Sequence, residues 1–301
     1  QLLRELSHRI VALSVTPNLY FIVYKGFTQA ITSVAPKNLS TEFKNAWREA
    51  IVFLIKACMD AGDRRYTQVE NRKGGWQGER EFRLIKKYAK AEDTLCFEFV
   101  PNDSDKSKIE FTPGQYLTIR CPGISSPRHY TITSAPGSKT LQCTTRLMPK
   151  GIVSKYMHTT LDIGDCCLVA PPSGSFSVTR GNSKIVLISA GIGVTCMAAF
   201  LRSIPKRRIK SVYHVDKTPQ RHAFAEEFDE SGLDCTFYYT YPDTPNYLRP
   251  NLRKVVESLI AKAGSKAEYY ICGPEDFMKS MRQRLEEQHV NPKQVFTQHY
   301  Q

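Results

Sequence analysis

The sequence predicts a multidomain chain in three parts: an all-α segment, an antiparallel β-barrel and an α/β domain built on a parallel sheet. Three observations predict it. At 301 residues the chain is about twice the ~150-residue size of one ordinary domain. The spacing of apolar residues changes from helical to two-residue near position 77, and then to alternating strand and helix near position 183. The composition, 41% apolar and 24% charged, belongs to folded chains rather than disordered or fibrous ones.

Residues 1–66 read as helical. From Thr41 to Gly62 the positions Phe43, Ala46, Trp47, Ala50, Leu54 and Ala57 follow helical spacing and predict one buried stripe, with a start at Ser40 and a stop at Gly62. A second stripe, Leu19, Ile22, Val23, Phe27 and Ala30, follows Pro17, which suits a first helical turn. Residues 67–76 are polar and end in Gly74-Gly75-Trp76, as a linker does. Over 77–182 the rhythm alternates, through Phe82, Leu84, Leu95, Phe97, Phe99, Tyr116, Thr118, Tyr130 and Ile132. Pro-Gly turns at 113, 122 and 136 divide the runs, the pattern of a small antiparallel barrel. Over 183–301, strand candidates at Lys184–Ser189, Ile209–Val215, Cys235–Thr240 and Ala267–Cys272 alternate with helical stretches at 197–201, 222–230, 251–263 and 275–288. That alternation predicts a parallel sheet with helices on both faces.

Composition narrows the function classes. The net charge is +13, and residues 64–90 hold nine Lys/Arg against three Glu. That stretch is too short and too poor in stacking aromatics for a nucleic-acid recognition fold, so an acidic partner or anionic cofactor is expected instead. The nine cysteines contain no C-x-x-C pair, which argues against a zinc site or a disulfide frame and for a reducing cytoplasm. No apolar run is long enough to span a membrane, and the start carries no secretory signal. Opening inside helical sequence without Met, the chain reads as a fragment of a longer protein.

Three segments carry chemistry. Gly191-Ile192-Gly193-Val194-Thr195 lies between strand and helix, where bare N–H groups and a helix start form an anion site, although Cys196 stands where a third glycine of the dinucleotide fingerprint would be. Cys272-Gly273-Pro274 opens a second turn at the same carboxyl edge of the sheet, where open parallel sheets bind ligands. Upstream, Arg128 and Tyr130 share one face of a strand while Thr131 points to the other. An arginine fork suits a pyrophosphate, and a tyrosine ring suits a flat heterocycle.

Together, Pro113-Gly-Gln-Tyr116, Arg128-x-Tyr-Thr131, Gly151-Ile-Val-Ser-Lys-Tyr-Met-His158, Ala170-Pro-Pro-Ser-Gly174, Ser189-Ala-Gly-Ile-Gly193 and Cys272-Gly-Pro274 make the chain resemble the ferredoxin-reductase-type flavoenzymes, and within them the flavohaemoglobins. The resemblance covers the whole length. It implies a partial globin-like segment at 1–66, a linker at 67–76, an FAD-binding barrel at 77–182 and an NAD(P)-binding α/β domain at 183–301. It implies that Tyr116, Arg128, His129, Tyr130, Thr131, Gly151, Val153, Ser154, His299 and Tyr300 hold FAD. Gly191, Ile192, Gly193, Val194, Thr195 and Cys196, with Cys272, Gly273 and Pro274, would take the nicotinamide coenzyme. Tyr130, Thr131 and Cys272 would stand nearest the reacting rings, Cys272 reading equally well as a buried strand thiol. Arg9 and Gln298 would tune the redox step, Gln298 replacing a family glutamate.

The implied activity is that of an NAD(P)H-dependent FAD oxidoreductase, passing electrons singly to a haem that, in an intact relative, turns oxygen and nitric oxide into nitrate. Counting back seven residues from Pro17 to the family's iron-ligand histidine gives Ile10. His8 lies two positions away, about 200° round a helix. Tyr20 occupies the family's proximal tyrosine position, and Gly62 its glutamate position. The expectation is therefore that this chain does not hold haem stably. A general diaphorase acting on small-molecule or cytochrome acceptors, or a silent remnant, stay open as alternatives. NADH and NADPH stay open as well, because His214, Asp216, Lys217 and Arg221, near the expected ribose, include both acid and base.

Overall fold

In a computed structural model of the chain the described residues are 2–36, 40–105, 107–178, 181–241 and 251–299. Three helices lead: α1 (Leu2–Ala12), α2 (Pro17–Val34) and α3 (Thr41–Glu70). Pro17 begins α2, where its missing N–H costs nothing, and Ser40 caps α3 by accepting the Phe43 N–H at 3.2 Å. Helix α3 runs past the predicted stop and into the predicted linker. A mid-helix glycine costs only about 1 kcal/mol, and Gly62 packs closely against Ile10.

The predicted apolar stripes are not buried. Phe43, Trp47 and Leu54 of α3, and Leu19, Ile22, Val23 and Phe27 of α2, are exposed, while α3 buries Ile51, Ala61, Gly62 and Val69. Helix α3 packs chiefly on α1 and only lightly on α2, so among the described residues the stripes face no covering layer.

Six strands follow: β1 (Arg80–Ala91), β2 (Thr94–Pro101), β3 (Tyr116–Arg120), β4 (Arg128–Thr131), β5 (Leu141–Arg146) and β6 (Cys166–Ser173), with helix α4 (Ile152–Thr159) before the last. They form one antiparallel sheet in the order β4-β3-β6-β1-β2-β5. The sheet curls until its edge regions meet at a single bridge, Ile132 to Cys143, rather than along a closed ladder. Its concave face buries Phe82, Leu84, Phe97, Phe99, Leu117 and Ile119. Each such side chain contributes about 1.5–3 kcal/mol by leaving water. Trp76 closes the junction with the helices by donating its indole N–H to the Val169 carbonyl at 3.0 Å.

The remaining elements are β7 (Ile185–Ala190), α5 (Val194–Leu201), β8 (Ile209–Asp216), α6 (Ala225–Asp229), β9 (Cys235–Tyr239), α7 (Leu252–Ala263), β10 (Glu268–Cys272), α8 (Glu275–Glu287) and β11 (Val295–Gln298). The parallel sheet runs β11-β10-β7-β8-β9. Ile185 and Leu187 point to the face covered by α5 and α6, and Val186 and Ile188 to the face covered by α7 and α8. A strand covered on both faces has to be apolar throughout, which is why 185–188 reads as an unbroken run. The first turn of α5, which follows β7, packs on β4 of the curled sheet, where Cys196 meets Thr131.

Candidate functional site

Two cavities lie where the sheets meet. One, of about 300 Å³, is lined by Arg128 to Thr131, Thr144 to Arg146, Met148, Gly151 to Ser154, Ile192 and Thr195. The other, of about 860 Å³, is lined by residues that include His8, Arg9, Tyr116, His129, Gln298 and His299. His129 borders both.

Strand β4 supplies the common wall. Arg128 is exposed at its start, with one guanidinium N–H on the Pro127 carbonyl at 2.9 Å. His129 shares a hydrogen bond of 2.8 Å with the Thr118 hydroxyl, and its ring lies 4.6 Å from that of Tyr116. Burial, then the charges of Arg9 and Arg128, lowers the His129 pKa and keeps the ring neutral. Burial pushes the Tyr116 phenol up to about 12. Tyr130 is half-buried against the apolar interior of the curled sheet. Thr131 is buried, its hydroxyl 3.6 Å from the Cys196 sulfur, so it ties the strand to α5.

Opposite, α4 begins at Gly151, where an added Cβ would stand 2.3 Å from Ser154 Oγ. Ser154 accepts the Met148 N–H at 3.2 Å, which folds the preceding loop back and leaves the first-turn N–H groups to an outside acceptor. Val153 points into the core and can offer only its main chain.

The two glycine turns of the parallel sheet interlock. An added Cβ at Gly193 would stand 2.3 Å from the Cys272 carbonyl oxygen, and one at Gly273 would stand 3.0 Å from Ala190 Cβ. Pro274 follows as the cap of α8. Val194 and Cys196 are packed in the core, so their side chains face no cavity, whereas Ile192 and Thr195 do. The Cys272 thiol is also fully buried and donates to the Gln298 carbonyl at 3.7 Å, the arrangement of a structural strand thiol. Gln298 and His299 border the larger cavity, and Tyr300 lies outside the described residues.

Among the predicted ribose residues, His214 and Asp216 are buried, while Lys217 is exposed. His214 shares a hydrogen bond of 2.9 Å with Ser189 and stacks on His222 at 4.1 Å. Burial raises the Asp216 pKa, but the neighbouring His214 ring, 3.6 Å away, and the hydrogen-bonded Arg146 guanidinium outweigh it and bring the carboxyl to about 2. Arg146 was not singled out in the sequence; its partner lies seventy residues away.

On the helical side, Ile10, Tyr20 and Gly62 do converge. The Ile10 Cγ2 would lie 2.9 Å, and the Tyr20 hydroxyl 3.3 Å, from a Cβ added at Gly62. His8 faces the other way: it accepts the Gly174 N–H at 3.0 Å, and the Arg65 guanidinium lies 2.8 Å from the same ring nitrogen. Burial, then the charges of Arg65, Arg4 and Arg72, holds its pKa down to about 3. Arg9 reaches the larger cavity instead.

Comparisons with known proteins agree with this architecture. Residues 81–178 match the oxidoreductase FAD-binding domain. A flavohemoprotein of Bacillus subtilis is 28% identical over 99% of this chain and 77% of its own length. Flavohemoprotein A of Dictyostelium discoideum is 28% identical over 94% and 76%. Over nearly its whole length the chain is similar to flavohemoproteins. The flavohemoglobin of Malassezia yamatoensis, solved with bound FAD and heme, shares the fold with a TM-score of 0.82 and 21% identity, over 99% of this chain and 78% of that one. The FAD/NAD-binding domain of a nitric oxide dioxygenase from Vibrio cholerae gives 0.62 and 21%, over 73% and 97%.

The two groups bound in the Malassezia yamatoensis flavohemoglobin fare differently here. FAD fits: an arginine fork, two tyrosines, and a helix start that only a glycine leaves open line two cavities that share His129 as a wall. Haem does not: Ile10 cannot ligate iron, and His8 is turned away and committed to Gly174.

Proposed function

We propose that this chain is an NAD(P)H-dependent FAD oxidoreductase, the reductase module of a nitric oxide dioxygenase-type protein. The observation that carries the reading is the meeting of β4, the α4 start and the Gly191–Thr195 turn around one cavity. We take residues 77–182 as the flavin domain, 183–301 as the coenzyme domain and 1–66 as a globin-like segment joined through 67–76. A cytoplasmic setting suits nine cysteines that contain no C-x-x-C pair; among the described residues no helix is long and apolar enough to cross a membrane.

In this reading Arg128 and the N–H groups of Ile152 to Ser154 hold the FAD pyrophosphate, and Tyr116 and Tyr130 flank the ring system. Thr131 stands at the ring edge, and His129, neutral, adds no charge to it. His299, which borders the larger cavity, lies on the side from which the ring would be covered. A bound flavin supplies the chemistry of taking up a hydride equivalent and releasing it as single electrons. The Gly191 turn and the Gly273-Pro274 turn hold the coenzyme, the main chain of Gly193 to Cys196 meeting its phosphates. The protein's contribution is to bring the two rings within ~3.5 Å and to exclude water.

The onward acceptor is where this chain departs from its relatives. Ile10 in the ligand position and His8 bound to Gly174 favour a small-molecule or cytochrome acceptor over a haem held by these helices. Arg9 and Gln298 border the cavity through which electrons leave. Steady-state assays of the FAD-loaded chain test the proposal: NADH or NADPH drives ferricyanide reduction, and Arg128→Ala loses flavin on gel filtration. A yellow chain that consumes neither coenzyme overturns it.

A further inference from the structure

Asp216 ends β8 at the carboxyl edge of the parallel sheet, where an acid of this fold class meets the coenzyme's ribose hydroxyls. Here the carboxylate faces inward, with 1% of its side chain exposed. It accepts from Arg146 Nη1 at 3.2 Å and Nη2 at 2.8 Å, and from the Lys217 N–H at 2.8 Å. Withdrawing it to serve a ribose would strand two buried charges.

Arg146 comes from the other sheet. Its Nε donates to the Thr94 hydroxyl at 3.3 Å, and its Nη2 also donates to the Arg221 carbonyl at 2.5 Å. Nη1 stands 3.3 Å from the point where a side chain at Gly191 would begin, and Arg146 lines the same cavity as Ile192 and Thr195.

We propose that Asp216 is a positioning residue that holds Arg146 against the Gly191 turn across the two sheets, and that it does not read the coenzyme's ribose. The inference rests on the reading of that turn as the coenzyme site. It follows that the choice between a free and a phosphorylated ribose is not made by this acid, although its place in the strand suggests so.

The test is steady-state kinetics of the full FAD-loaded chain with NADH and with NADPH, for Asp216→Asn, Arg146→Gln and the pair together. Asp216→Asn is expected to lower kcat/KM for both coenzymes by about tenfold, chiefly through KM, with their ratio kept within about twofold. The double variant is expected to be no worse than Arg146→Gln alone, because Asp216 acts through Arg146. A ratio that shifts about tenfold between coenzymes would mean that Asp216 does contact the ribose, and additive losses would mean that it acts independently; either overturns the proposal. Flavin absorbance checks that each variant is folded. If Asp216→Asn sheds its flavin, the double variant, which leaves no lone buried charge, is compared with Arg146→Gln to decide the same question. An unaltered chain that oxidises neither coenzyme refutes the functional reading itself, a result distinct from these.

Discussion

Gly193 has no room for a side chain, since a Cβ would sit 2.3 Å from the Cys272 carbonyl oxygen and 2.8 Å from the Gly273 nitrogen. Both obstacles are main chain, so Gly193→Ala has to push the two turns apart. The expected cost is at least the ~1–3 kcal/mol of an overpacked core, read as a lower urea midpoint together with a raised KM for the coenzyme. An unchanged midpoint and KM would contradict the interlocked turns. Buried histidines make a second prediction at this scale. His8 and His222 are held down to about 3 from 6.5, His8 first by burial and then by nearby arginines, His222 by burial and then by His214. Between those values the unfolded chain binds protons that the folded chain refuses. Stability is therefore complete above pH 6.5 and falls as the pH drops through that window, by up to ~1.4 kcal/mol per pH unit for each histidine. Thermal melts from pH 7 to 4 should show this slope, flatter in His8→Gln; a slope unaltered by that substitution would count against His8 as a source.

At the scale of elements, Trp76 joins the helices to the curled sheet through one hydrogen bond to Val169 and a ring contact of 5.3 Å with Phe82. Trp76→Ala should cost ~3–5 kcal/mol in chemical denaturation, and a loss well below that would show that the junction is looser than drawn. Much of this level was legible in the sequence. The alternation around Phe97 and Phe99, and the unbroken run at 185–188, fall on β2 and β7 because residue spacing and burial are coupled within one strand. Two things were not. The helical stripes of α2 and α3 have the right period, but period says only that a face is apolar, not that anything covers it. The Arg146–Asp216 pair joins residues seventy positions apart, and no local pattern announces such a contact. The flavin-site candidates could be named from the sequence because their motifs are short and local. For Cys272 the sequence leaves a ring contact and a buried strand thiol equally open, because the pairing that buries it under Gln298 is set by the neighbouring strand.

For the whole molecule, the proposed reading separates a flavin site from a helical side without an iron ligand, whereas the flavohemoglobin of Malassezia yamatoensis was solved with both FAD and heme. The flavin side keeps its arginine fork, its glycine-opened helix start and its interlocked turns, whereas the helical side has Ile10 where iron needs a ligand. Protein purified with excess haemin should therefore show no stoichiometric Soret band, and a stable band at one haem per chain would contradict that separation. The central claim is that flavin and coenzyme meet between the curled and parallel sheets. The most direct measurement is the absorbance spectrum of the FAD-reconstituted chain, recorded anaerobically before and after one equivalent of NADH or NADPH. The visible band of oxidised flavin is expected to bleach on addition and to return with ferricyanide; a band that neither coenzyme bleaches, or a chain that binds no flavin, would contradict it.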